Sequence, residues 1–207
     1  PDIAEQYSGP DVMIETRKTE QVHIAFGIKT FSKRDNRKSA LDILNVILGA
    51  NMSSRLFNEI REKRALAYEV HSFTRYFRDT GALLVDVGVD PAKVIPAIQV
   101  FMKELRKMKQ KQVTPDELKR AKHYLIGQME LGLESTMNRM LWAGENLVIQ
   151  KKVDRIDYIK RSIKKVKRTE VCELARSMLR GERLYAAVVG PVSKTDTLAI
   201  REAVSTL

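Results

Sequence analysis

Alternating apolar and polar residues predict four strands in the first 90 residues of the chain. β-branched and aromatic side chains recur there at every second position, which is typical of half-buried strands. The last two strands are separated only by a short turn, so we expect an antiparallel hairpin with Tyr68 and Val70 on one face. The four predicted strands cover residues 12–15, 21–30, 68–76 and 82–89.

Apolar residues spaced by three or four predict helices in most of the remaining chain. Two of the helix starts carry recognisable caps. Asp90 precedes Pro91, and Thr114 precedes Pro115 with Glu117 three positions later, which makes a capping box. A last strand is predicted over residues 183–189. The predicted helices cover residues 39–48, 90–110, 115–133, 135–150, 155–162, 169–179 and 195–207.

The helix over residues 135–150 is rich in large apolar side chains. Met137, Met140, Leu141 and Trp142 recur along it. Residues of these types are more often buried than exposed, so we expect them in the hydrophobic core.

This order of elements predicts an α+β fold, with several α-helices packed on a mainly antiparallel β-sheet. Of the 207 residues, 43% are hydrophobic, which is enough for a sizeable core. Residues 1–11 are polar and contain Pro1 and Pro10, so we interpret them as a linker or lead-in to a domain over residues 12–207. No run approaches the roughly 18 apolar residues that span a bilayer, and we expect no membrane partner.

Residues 48–68 hold the densest local pattern in the chain, LGANMSSRLFNEIREKRALAY. Gly49 is expected to end the preceding helix as its C′ residue. Ser53 or Ser54 then caps a second, short helix. Tyr68 opens the next strand, so the stretch predicts a helix end, a turn, a helix and a strand entry in quick succession.

Thirty-seven Lys and Arg against 26 Asp and Glu give a net charge of +11, which is compatible with nucleic acid, an anionic surface or acidic substrates. Two runs, residues 103–111 and 160–168, carry much of the excess and keep apolar residues at helical spacing. We therefore interpret the charge as solvated helix faces. The chain has no aromatic-rich RNA-binding strand motif and no zinc finger, so we expect no nucleic-acid partner, although salt-sensitive binding to DNA and RNA would revive that alternative.

The three histidines, His23, His71 and His123, lie far apart in the sequence. None has the Glu and His neighbours of a helical zinc motif. We therefore expect this chain to bind no metal ion itself.

The amino-acid sequence of residues 48–68 resembles a signature of the C-terminal, zinc-free domain of pitrilysin/insulinase-type zinc metallopeptidases, the family that includes the mitochondrial processing peptidases. Residues 19–24 and 188–191 resemble the family too. The resemblance implies one half of a two-domain clamshell. In such enzymes a homologous half carries Zn²⁺ on a His-x-x-Glu-His helix, and the zinc-free half completes the site that cleaves unfolded peptides.

The two halves can be domains of one polypeptide or separate subunits, so the resemblance implies a homologous zinc-bearing partner and a dimeric arrangement of domains. It also implies that the present segment is inactive alone. The compartment does not follow from the residues, and the cytoplasm is the working expectation.

The resemblance assigns two residues to the substrate site. Tyr68 would be the catalytic residue, with its hydroxyl stabilising the oxyanion that forms when water attacks a peptide carbonyl. Arg61, seven positions earlier, would bind substrate carbonyl groups together with Tyr68. Ala65 stands where many relatives have Gly, and a left-handed backbone would be strained there.

From residue types alone, both residues can also be interpreted as structural. Arg61 would then be an exposed charge at a helix end, and Tyr68 an aromatic residue of a strand that packs on a helix. A catalytically silent scaffold, like the core proteins of respiratory complexes, is the alternative function. Retention of Arg61 and Tyr68 favours the peptidase.

Overall fold

Five strands form one sheet in the computed structural model, which describes residues 9–207. β1 and β5 pair in parallel, and the other neighbouring strands are antiparallel. The α+β fold with a mainly antiparallel sheet is therefore confirmed. In spatial order the strands are β1 (Asp11–Thr16), β5 (Leu184–Gly190), β2 (Val22–Thr30), β4 (Gly81–Val89) and β3 (Ala67–Tyr76).

Seven α-helices lie within residues 9–207, and none of them is long and apolar enough to cross a membrane. Most of their bounds fall within three residues of the predicted ones. They are α1 (Lys38–Leu48), α2 (Val94–Gln110), α3 (Pro115–Gly132), α4 (Thr136–Gln150), α5 (Ile156–Lys165), α6 (Arg168–Met178) and α7 (Lys194–Val204).

Helix starts follow local capping chemistry where the sequence offered it. Asp90 accepts a hydrogen bond from the backbone N–H of Ala92, and Thr114 and Glu117 form the predicted capping box of α3. The sequence also allowed Thr169 to cap the helix predicted over residues 169–179, but this is wrong, because α6 begins at Arg168 with Lys167 as its N-cap. The predicted lead-in over residues 1–11 lies largely outside the described residues.

One face of the sheet is covered by helices and the other is open. Alternation in β2 buries Ile24, Phe26 and Ile28 and leaves His23 exposed on the opposite face. The ring of Phe26 stacks on Phe101 of α2, with centroids 3.8 Å apart. Each such side chain stabilises the fold by about 1.5–3 kcal/mol when fully buried. The core therefore lies between the sheet and α1, α2 and α6.

Helix α4 departs from the prediction. Met137, Met140 and Leu141 were expected in the core, but they are 61%, 59% and 58% exposed, and only Trp142 of the four is partly covered. The prediction is wrong because helical spacing reveals an apolar face without revealing what covers it.

Candidate substrate-positioning site

Gly49 ends α1 as predicted, but not with the left-handed backbone of a C′ glycine. Its φ of −160° and ψ of 2° lie outside the left-handed region, and its N–H donates to the carbonyl oxygen of Asn45 at 2.9 Å. Space explains the glycine instead. A Cβ at this position would lie 2.7 Å from Oγ and 2.9 Å from Cβ of Ser72 on β3. The buried Ser72 hydroxyl in turn donates to Oδ1 of Asn45 at 2.7 Å.

The short helix after this turn has a wider form than the sequence suggested. Ser54 Oγ accepts from the backbone N–H of Phe57 at 3.4 Å, which favours Ser54 as the capping serine. Residues Phe57–Glu62 then form a π-helix, with Ile60 fully buried. π-helical turns are rare overall, but those that occur are often found at functional sites. The widened turn carries Arg61 on its exposed side.

Two ion-pair groups hold the π-helix in place. Arg55 binds Glu117 of α3 through two hydrogen bonds of 2.7 and 3.0 Å. Burial alone would raise the pKa of Glu117, but Arg55 and the Thr114 backbone N–H outweigh burial and lower the pKa. On the other side, Glu59 pairs with Lys63 and with Arg64, each at 2.6 Å.

The Lys63 ammonium, followed by the Arg64 guanidinium, lowers the pKa of Glu59 to about 2 despite the opposing effect of burial. Glu59 is therefore a carboxylate at every physiological pH. Because Glu59 is already paired, its carboxylate holds the side chains of Lys63 and Arg64 in place and is not available to bind a ligand.

The exit from the π-helix uses a left-handed residue. Ala65 has a φ of +46°, as its place in the motif suggested. Its N–H donates to the carbonyl oxygen of Arg61 at 3.0 Å, and Leu66 N–H donates to that of Ile60 at 2.8 Å. These two bonds resemble those of a Schellman cap, except that each joins residues one position further apart in the sequence. The Ala65 carbonyl oxygen accepts from Nζ of Lys93 at 2.9 Å, which closes the turn.

Tyr68 is the extra residue of a β-bulge. Ala67 lies opposite Val89 and Glu69 opposite Gly88, so Tyr68 has no partner on β4. The prediction that Tyr68 shares a face with Val70 is therefore wrong: Val70 is buried and Tyr68 is 60% exposed. Bulges often re-aim a side chain beside an active site. The Tyr68 hydroxyl makes no hydrogen bond within residues 9–207.

Arg61, Tyr68 and Lys93 line one open depression of about 400 Å³. The Arg61 guanidinium lies 5.0 Å above the Phe57 ring and forms no ion pair with any described residue. The fold thus brings together the two residues that the motif separates by seven positions. Sequence reasoning missed Lys93. The one available signal was the predicted hairpin of residues 68–76 and 82–89, which brings the start of the next helix close to the entry of β3, as the pairing of Ala67 with Val89 now shows.

A second open depression, of about 580 Å³, begins at Tyr68 and crosses the uncovered face of the sheet. Small residues on three strands, Ala25, Gly88 and Ala187, make its floor, and His23 lines it. Tyr68 therefore stands on the ridge between two concave surfaces.

The described residues hold no group of three or more His, Cys, Asp or Glu side chains that would bind a metal ion. His23 and His71 lie on different strands of the open face, and His123 lies on α3. The side chains of residues 9–207 therefore do not fit a zinc site.

Comparison with known proteins assigns the chain to a family. The sequence model described as Peptidase M16 inactive domain matches residues 1–125. An uncharacterized zinc protease of Streptomyces coelicolor is 36% identical over 91% of this chain and 41% of its own length. The chain thus spans about two-fifths of that relative.

Solved structures share the fold. A protease from Helicobacter pylori has a TM-score of 0.81 at 20% identity, over 89% of this chain and 45% of its own. A chain of complex III2 from Candida albicans also has a TM-score of 0.81, at 14% identity, over 95% of this chain and 49% of its own. On the family match and the identity to the Streptomyces protein, this chain belongs to the M16 zinc peptidase family and is its inactive domain.

Proposed function

We propose that this chain is the half of a zinc-dependent endopeptidase that completes the substrate site opposite a zinc-bearing half, and that the substrate is an unfolded peptide. The meeting of Arg61 and Tyr68 in one depression is the observation that carries the proposal. The zinc-bearing half belongs either to the same polypeptide or to a partner subunit. Its zinc, when bound, supplies the Lewis acid that activates water.

Tyr68 is the catalytic residue of this half. Attack on a peptide carbonyl places negative charge on its oxygen, and a phenol hydroxyl aimed at that oxygen binds the transition state more tightly than the substrate. Two features support the role: the bulge turns Tyr68 away from the core, and its hydroxyl is unpaired within residues 9–207.

Arg61 positions the peptide. Its planar guanidinium has several N–H donors for backbone carbonyl oxygens, and stacking over Phe57 limits its motion. Lys93 holds the loop instead, because its ammonium donates to the Ala65 carbonyl. The positive charge of both side chains also favours anionic peptides.

The test is hydrolysis of an unfolded fluorogenic peptide by the intact, zinc-loaded protein or complex. Tyr68→Phe removes only the hydroxyl, and we expect kcat to fall about 10²- to 10³-fold with little change in KM. Tyr158→Phe is the matched control, since Tyr158 is 54% exposed and lies on α5, away from the depression. Arg61→Ala should mainly raise KM. Activity of Tyr68→Phe within twofold of the wild type would remove the assignment.

A catalytically silent scaffold is the second candidate. The fold is as close to a chain of complex III2 as to a protease, with the same TM-score, so fold alone does not separate the two functions. Zinc-loaded intact protein that cleaves no unfolded peptide would favour the scaffold. The 207-residue chain alone, with zinc added, should be inactive under either candidate.

A further inference from the structure

Helix α4 presents a continuous apolar stripe to solvent. The stripe follows helical spacing along one side of the helix. Each of its large side chains is more than half exposed, from 55% at Leu147 to 73% at Val148. We call this surface the α4 stripe. Its members are Met137, Met140, Leu141, Gly144, Leu147 and Val148.

The opposite side of α4 is the side that packs on the domain. Asn146 is buried there and Trp142 is partly covered. Glu145 pairs with Lys33 at 2.7 Å, and Arg34 donates to the carbonyl oxygen of Ile149 at 2.9 Å. One face of α4 is therefore attached to the domain, while the opposite, apolar face is exposed to solvent. Helices that are apolar on both sides are normally covered on both sides.

The chemistry of the α4 stripe is that of a protein interface. Several large side chains lie side by side, whereas isolated apolar residues on a surface need no explanation. Methionine is enriched at interfaces because its flexible thioether adapts to the surface opposite. A Cβ added at Gly144 would have no neighbouring atom within 4 Å, so the middle of the stripe is open to close approach.

We propose that the α4 stripe is the docking surface for the zinc-bearing half. The Streptomyces relative continues well beyond the 41% of its length that this chain matches, and the H. pylori chain beyond 45%, so each has room for a second unit of similar size. A second copy of this chain fits less well, because it would bring a net charge of +11 against +11. The inference rests on the proposed function only for the existence of that half.

The position of the stripe suits a permanent contact. Lys33 and Arg34, which fasten α4, follow the end of β2 at Thr30, whereas Tyr68 lies beside the other end of the sheet at Val22 and Val89. Strand β2 has nine residues, so the two ends are roughly 25 Å apart. A partner held at α4 therefore leaves the depression around Tyr68 free for a peptide.

The test uses the intact protein or complex with a photoreactive amino acid in place of Met140. Leu198 on α7, 72% exposed, is the control position. After irradiation, mass spectrometry identifies the cross-linked peptides. We expect position 140 to cross-link to the half that carries His-x-x-Glu-His and position 198 not to do so. A cross-link between two copies of this chain, or none at position 140, would overturn the proposal.

A pair of charged substitutions measures the strength of the contact. Leu141→Lys with Val148→Lys would bury two unpaired ammonium groups in the interface, and we expect the yield of the cross-link from position 140 to fall about tenfold or more. Leu198→Lys should leave it unchanged. Because all three positions are exposed, folding should be unaffected, and circular dichroism checks this. Tyr68 takes no part, so the cross-link would persist even if Tyr68→Phe proved fully active.

Discussion

Replacing Gly49 by Ala should destabilise the domain because the space beside this residue is already occupied. The new Cβ would lie 2.7 Å from Oγ and 2.9 Å from Cβ of Ser72, and 3.2 Å from Cδ1 of Leu56. Ser72 and Leu56 are both fully buried, so neither has free space into which to move. Either the end of α1 moves away from β3, or Ser72 shifts and gives up its hydrogen bond to Asn45.

The two routes have similar costs. Overpacking by one methyl group costs about 1–3 kcal/mol. Loss of the 2.7 Å bond from Ser72 to Asn45 leaves a buried acceptor unpaired, which also costs about 1–3 kcal/mol. Alanine recovers about 0.4–1 kcal/mol by restricting the unfolded chain. We therefore expect the free energy of unfolding to fall by about 1–2 kcal/mol.

Urea unfolding of the 207-residue chain, followed by circular dichroism, measures this change as a lower midpoint at constant m. Gly127→Ala is the control, because its Cβ would meet no atom within 4 Å and the residue lies inside α3. That variant should gain about 0.5–1 kcal/mol. If Gly49→Ala matches the wild type while Gly127→Ala is stabilised, the close approach of Gly49 to Ser72 is refuted.

Three further predictions concern the same junction. Ala65→Gly should raise the free energy of unfolding by about 0.5–1 kcal/mol, since it removes about 1–2 kcal/mol of left-handed strain and adds less conformational freedom to the unfolded chain; a lower urea midpoint would contradict this. Glu59→Gln should destabilise the domain most at neutral pH. The folded pKa of Glu59 is about 2 and its ordinary value 4.5, so its contribution is complete above pH 4.5 and is lost as the pH falls toward 2; urea midpoints at pH 7 and pH 3 that differ from wild type equally would count against it. Arg55→Leu should cost about 1–3 kcal/mol at pH 7 and less at acidic pH, because the lowered pKa of Glu117 depends on Arg55; an unchanged midpoint at pH 7 would show that the pair contributes nothing.

Most of the strands and helices were predictable because local sequence patterns determine them. Alternation fixed β2 and the β3–β4 hairpin, and the caps at Asp90 and Thr114 marked two helix starts. The order of the strands was not available in this way. The parallel pairing of β1 with β5 joins residues more than 170 positions apart, as in Val12 opposite Ala186.

The sequence named the residues of the candidate site but not their geometry. The motif named Arg61 and Tyr68, yet nothing in the residue types distinguishes a π-helix from an α-helix over Phe57–Glu62. The bulge likewise depends on how Ala67 and Glu69 register against β4. Lys93 was missed because its hydrogen bond to the Ala65 carbonyl exists only once the hairpin has formed.

The bulge at Tyr68 makes this side chain separable from the sheet that carries it. Since Tyr68 is supernumerary on β3, its loss would leave Ala67 and Glu69 as consecutive residues with their present partners, Val89 and Gly88. Val70 would keep its place in the core. Within a regular strand, by contrast, a deletion would turn every later side chain to the opposite face. A chain with this fold can therefore gain or lose its tyrosine in one step without rebuilding the domain.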